Sequence, residues 1–142
     1  MRMAFVSVAV LAAFVAGCGS LQKKEPPPKP FVGTKWVVVL ELPVAGEQPY
    51  FRFGDGRMEG FGGCNKVSAR YLQDTVGSRF IAIGRIDRGT KACDSGTQVA
   101  EARILEVLQG VSSYTITIDQ MVMSGSSGVL NFRSDPPAEI PK

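Results

Sequence analysis

The sequence predicts an α+β domain: a curved, barrel-like antiparallel sheet of about seven or eight short strands packed with one α-helix. Three observations carry this expectation. From Lys35 to Arg133, β-branched or alternating apolar runs recur between clusters of Gly, Asp, Asn and Ser, which is the spacing of short hairpin-linked strands. A single interruption, from Asp94 to Val111, shifts to helical periodicity. The 142 residues are 44% hydrophobic and 20% charged, a balance suited to one compact core.

Arg2 is followed by a nearly unbroken apolar run from Met3 to Val15, the charged and hydrophobic regions of a secretory signal. The run falls short of the roughly 20 apolar residues a membrane span needs. It ends in Val15-Ala16-Gly17-Cys18, which resembles a bacterial lipobox, in which the cysteine is acylated and becomes the new N-terminus. Residues 1–17 are therefore expected to be a lipoprotein signal peptide and Cys18 the lipid attachment site. An ordinary signal with an incidental cysteine is the alternative. Gly19 stands where enterobacterial lipoproteins retained in the inner membrane carry aspartate, so the resemblance favours the outer membrane, facing the periplasm.

Residues 18–31 form a Pro/Lys-rich tether, with Lys23, Lys24, Lys29 and four prolines but no apolar periodicity. The folded domain is expected over 32–133, followed by a disordered proline-containing tail over 134–142. Lys35 to Glu41 is β-branched, reads as a strand covered on both faces, and carries Trp36 as a core anchor. Pro49 to Phe53 and Arg57 to Phe61 are joined by Gly54-Asp55-Gly56, a hairpin signal. Lys66 to Leu72 and Arg79 to Ile86 are further strands. Asp94 to Thr97 offers capping side chains for a helix of about three turns, ended by Gly110. Ala100, Ile104, Val107, Leu108 and Val111 are expected on its apolar face, with Glu101, Arg103, Glu106 and Gln109 on the wet one. Strands with Tyr114, Ile116 and Ile118, then Met121 to Met123, then Val129 to Arg133 close the domain, the first two joined by a turn at Asp119-Gln120.

No histidine occurs anywhere, which removes Ser-His and Cys-His mechanisms and the commonest transition-metal ligand. Three cysteines without short spacing make a metal centre unexpected. The formal charge of +3 comes from 16 basic and 13 acidic residues that are interleaved, so no nucleic-acid stripe forms. With Cys18 assigned to lipid, Cys64 and Cys93 remain as an even pair in an oxidising compartment, and a disulfide is the expected state. Two independent thiols, or a redox pair in which Lys91 activates Cys93, are the alternatives.

Cys64 lies in Gly60-Phe61-Gly62-Gly63-Cys64-Asn65, where three glycines imply a backbone turn that Asn65 is suited to join. With Trp36, this Gly-Cys-Asn step, Tyr71, Thr90 to Cys93, Leu108, Tyr114, Leu130 and Phe132 in the same order, the chain resembles the META domain, the family of the HslJ-type envelope proteins. Lys91 departs from the methionine that relatives often place before Ala-Cys. The resemblance implies a β-rich exported domain with one helix, associated with envelope maintenance or stress response, and it supplies no catalytic residues.

Function is thus expected to be non-catalytic, with no cofactor and no metal. One reading is a module anchored in the membrane through lipid on Cys18 that contacts an envelope protein or cell-wall component, with Asn65 available for loop recognition. The second is a small-molecule-binding periplasmic barrel with Tyr71 and Tyr114 as pocket walls. An enzyme would have to draw on Asp55, Glu59, Asp87 and Asp94, and nothing in the sequence brings any two of them together.

Overall fold

A computed structural model describes residues 24–74 and 79–139. The signal segment, Cys18 and the last three residues of the tail lie outside the described residues. In chain order the elements are β1 (Lys35–Val38), β2 (Tyr50–Gly54), β3 (Arg57–Phe61), β4 (Lys66–Gln73), β5 (Ile81–Ile83), β6 (Asp87–Arg88), α1 (Ser95–Gln109), β7 (Val111–Thr117), β8 (Gln120–Gly125) and β9 (Gly128–Asp135). The strands run in the order β5-β4-β3-β2-β1-β9-β8-β7, with β6 also paired to β4, and every pairing is antiparallel. The two ends of this path meet through a bridge between Phe80 and Ser113, and Tyr114 N donates to Arg79 O at 2.9 Å. The sheet is therefore a nearly closed barrel, and with α1 the fold is α+β.

Side chains fill its interior. Alternation places Trp36 and Val38, Phe51 and Phe53, Met58, Met121 and Met123, and Leu130 and Phe132 inside, while their sequence neighbours face outward. Each mouth has its own stopper. Across one lies α1: Gln109 Nε2 donates to the carbonyls of Ile83 at 3.1 Å and Gly84 at 2.9 Å, and Arg103 donates to Ser127 O at 3.0 Å in the β8–β9 turn. The helix thereby spans from the end of β5 to the β8–β9 turn. Across the other lies Phe31, whose ring centroid is 4.5 Å from Phe53, 4.6 Å from Tyr114 and 5.8 Å from Tyr71. Trp36 Nε1 donates to Phe31 O at 3.1 Å, and Lys29 N donates to Ile118 O at 2.6 Å, so the entering chain is bound before the first strand begins.

Several expectations change. The domain starts near Lys29 and not at Val32, because Phe31 is a core side chain. It ends later than Arg133, since β9 continues to Asp135, with Ser134 buried. β1 buries one face, not two: Trp36 and Val38 point inward, while Lys35 and Val37 are half-buried. The strand expected over 79–86 is confined to β5, and an unexpected short strand, β6, follows it, the two lying one after the other along β4. Val111 opens β7 and is not part of the helix. The β7–β8 turn is Ile118-Asp119, one residue earlier than Asp119-Gln120, with Thr117 paired to Gln120 and Ile118 at φ 55.

Two local expectations hold for the stated reasons. Asp55 and Gly56 both take positive φ, 51 and 70, the two-residue turn that matches strand twist in a hairpin. Asp94 caps α1 through Thr97 N at 2.9 Å and also accepts from the Thr97 hydroxyl. These bonds, the hydroxyl's first, hold its carboxyl below the usual range.

Candidate functional site

The Gly60–Asn65 loop joins β3 to β4 at the helix end of the barrel, and its partner is a residue the charge pattern assigned to solvent. Glu101 is 1% exposed. Its Oε2 accepts from the backbone N–H groups of Cys64 at 2.9 Å and Asn65 at 2.6 Å, and its Oε1 accepts from Asn65 Nδ2 at 3.0 Å. Arg88 approaches Oε1 at 3.6 Å from the surface. A buried carboxylate is tolerable only when so engaged, and here backbone amides serve as its principal partners. The expectation that Glu101 stays on the wet face is thus corrected. The positions themselves hold the clue: Thr97, Glu101, Ile104 and Leu108 are spaced by 4, 3 and 4, one face of a helix, and all four are buried.

The glycines follow from the carboxylate. A Cβ on Gly62 would stand 2.7 Å from Glu101 Oε2 and 2.8 Å from its Cγ. Gly63 takes φ 114, a conformation that L side chains rarely adopt, just before the two amides that converge on Oε2. The motif is a socket.

Asn65 closes it from the other side. Its Oδ1 accepts from Lys91 N at 2.7 Å and its Nδ2 also reaches Lys91 O at 3.4 Å, so the amide reads both backbone groups of one residue. The Lys91 side chain is exposed and contributes nothing to this pairing, which accounts for the tolerance of lysine there. Cys64 and Cys93 are bonded, with Sγ atoms 2.04 Å apart and Cα atoms 6.0 Å apart. Cys93 immediately precedes the Asp94 cap of α1. Helix, loop and the 87–93 segment are therefore clasped by one covalent bond and a carboxylate–amide cluster.

Asn65 is 6% exposed and both ends of its amide are engaged, so it is not free for loop recognition; it shapes the clasp instead. Tyr71 and Tyr114 do sit near one mouth, but the Phe31 ring lies against both, and Tyr114 OH is hydrogen-bonded to Gln73. They pack a core end and do not wall a pocket, because the segment preceding β1 supplies the occupant. Burial pushes the Tyr71 phenol up, against a hydrogen bond with the Gly56 backbone. Of the four exposed acids, Asp55 forms the hairpin turn and Asp94 the cap. Glu59 and Asp87, contrary to expectation, line one cleft, on either side of Ser68.

That cleft, about 560 Å³, lies on the outer wall of β2, β3, β4 and β6 and is lined by Tyr50, Arg52, Arg57, Lys66 and Arg88 besides the two acids. Arg57 is held by Glu59 at 2.8 Å and Ser68 Oγ at 3.2 Å. Arg52 bonds only a carbonyl, that of Gly33 at 3.3 Å. Nothing in the linear sequence signalled this wall, since its cations come from four separated strands.

A META domain family model matches residues 29–136. No curated protein matches the chain. Among solved structures, the NMR structure of a protein from Burkholderia xenovorans is 17% identical with a TM-score of 0.60, covering 94% of this chain and 98% of that one. A second NMR structure is 18% identical with a TM-score of 0.56, covering 70% and 87%. These two likenesses show the fold alone. The family match runs from Lys29, where the chain first bonds to the barrel, to Pro136, just past the last strand, and the protein belongs to the META domain family.

Proposed function

We propose that the protein is a bacterial envelope lipoprotein, anchored through lipid on Cys18 in the outer membrane and facing the periplasm. Its META domain acts there as a non-catalytic binding or structural module in envelope maintenance or stress response. The observation that carries the anchoring is the Val15-Ala16-Gly17-Cys18 step after a short apolar segment, followed by a proline-rich spacer that ends where Lys29 bonds to the barrel. Residues 19–28, at about 3.1 Å each when extended, would reach roughly 30 Å. A disulfide bond between Cys64 and Cys93 suits an oxidising compartment.

The non-catalytic reading draws on how the chemistry-bearing groups are used. Among the described residues Glu101 is the one buried acid, and its lone pairs are taken by backbone and amide donors. Contact with an envelope protein or cell-wall component then falls to the outer surface, because Phe31 and α1 occupy the barrel mouths. The alternative of a small molecule inside the barrel has no room at the Tyr71–Tyr114 end.

Intact mass of protein extracted from membranes tests the anchor: acylated Cys18 as the first residue is expected, and Cys18→Ser should leave the chain unlipidated. An unmodified cysteine, or a retained signal segment, would refute it. Crosslinking in intact cells, with the captured species identified, tests the partner reading.

A further inference from the structure

The wall formed by β2, β3 and β4 has more positive charge than its own fold uses. Lys66 and Arg70 point outward with no side-chain partner among the described residues, and Arg52 donates only to a carbonyl. Arg57, directly opposite Arg70 across the β3–β4 ladder, is already held by Glu59, so Arg70 is the uncompensated member of this like-charge pair. Two large apolar side chains lie near Arg52 and Arg70 at the Phe31 end of the barrel, the end away from Lys66: Leu72, 74% exposed at the far end of β4, and Val32, 51% exposed beside the end of β2. Exposed apolar groups beside unpaired cations match an anionic lipid surface, where the apolar groups enter the interface and the cations meet headgroup phosphates.

The chain's path selects this occupant over a soluble anion. Lys29, whose amide is bonded at that same barrel end, is the last cation of the basic tether and lines a hollow with Lys35 and Arg52. A lipid-anchored spacer of roughly 30 Å joins the barrel at this end and so holds it nearer to the bilayer than the helix end.

We infer that the β2–β4 wall is a second membrane contact: it docks on the anionic headgroups of the bilayer in which Cys18 is held, with Arg52 and Arg70 facing phosphate and Val32 and Leu72 entering the interface. This rests on the lipid-anchored reading for its biological setting. The wall's affinity for lipid is nevertheless testable without the anchor.

Every strand and the helix lie between Lys35 and Asp135, so a chain beginning at Gly19 contains the whole fold. Its co-flotation with vesicles of phosphatidylcholine containing phosphatidylglycerol should exceed that with phosphatidylcholine alone, and should fall as salt rises. Arg70→Gln should weaken binding about fivefold, and Arg52→Gln with Arg70→Gln more than tenfold. Arg133→Gln, the same charge change on the outer face of β9, should leave it nearly unchanged, with melting temperatures confirming that all variants fold. Equal binding to both vesicle types, or equal losses from Arg133→Gln and Arg70→Gln, overturns the proposal. Amide shifts on this wall with soluble glycerol phosphate, in the absence of any vesicle binding, would overturn the lipid as its occupant. None of these failures touches the intact-mass test of Cys18.

Discussion

Glu101 and Asn65 pair one to one: the Asn65 backbone N–H donates to Oε2 at 2.6 Å and its Nδ2 donates to Oε1 at 3.0 Å. Removing the carboxylate leaves buried donors without acceptors, so Glu101→Ala should cost about 3 to 5 kcal/mol in denaturant unfolding. Glu101→Gln should fall between wild type and alanine, because its NH₂ would face the Asn65 NH₂ as donor against donor, while Asn65 is kept from turning by the Lys91 N–H on its Oδ1. Gly62→Ala attacks the same socket by crowding and should cost about 1 to 3 kcal/mol. Equal stability of the glutamine and alanine variants would contradict the account.

The disulfide acts on the same contact. Replacing both Cys64 and Cys93 by serine should lower stability by about 3 to 4 kcal/mol on the chain-entropy view of a loop with sequence separation 29. Combined with Glu101→Gln, the losses should be less than additive, since each fastening holds α1 to one loop. Alkylation of Cys64 or Cys93 without prior reduction would show free thiols and rule the bond out.

Phe31 should behave as a core residue despite its place outside the strands. Phe31→Ala is expected to cost about 3 to 5 kcal/mol. It should also move the Tyr71 phenol back toward its ordinary value of 10.0, readable in an ultraviolet titration. Because burial raises this pKa in the folded state, the wild-type contribution is fully present below the unfolded value and is lost as pH rises through the folded one. The variant should lose that alkaline sensitivity.

Ile118 is a β-branched residue at φ 55, where side chains of its kind are strained by about 1 to 2 kcal/mol. Ile118→Asn should raise stability by about 1 kcal/mol, because asparagine tolerates this conformation and the carbonyl that accepts from Lys29 is retained. A drop in melting temperature would show that the isoleucine side chain is worth more than its backbone strain.

Asp94 should mark the acid limb of stability. Its carboxyl lies below the ordinary 3.8 through its bonds to Thr97, so its contribution is present above that value and disappears as pH falls through the folded one. Asp94→Asn keeps a capping side chain and should flatten the stability profile in that window. An unchanged acid limb would remove Asp94 from the account.

The local rules were legible where residues act on near neighbours. Asp55-Gly56 announces its hairpin, Asp94 announces the start of α1, and alternation sorts inside from outside in β8 and β9. What stayed hidden depends on partners far along the chain. Glu101 looks like a surface residue until its spacing with Ile104 and Leu108 outweighs its charge, and its acceptor role needs a loop some 36 residues away. Phe31 follows a proline run that reads as linker, and only closure of the barrel gives it neighbours. The basic wall is assembled by register alone: Arg57 and Arg70 are separated by a strand turn in sequence and opposed in space.

β1 is the strand through which the N-terminal segment enters, and it is not at the seam of the barrel but between β2 and β9. Tension on that segment is therefore borne by two hydrogen-bonded ladders at once, with the Lys35–Asp135 ion pair at the point of entry. A pull on the segment before this strand would load both ladders together and would not peel the sheet open from an edge.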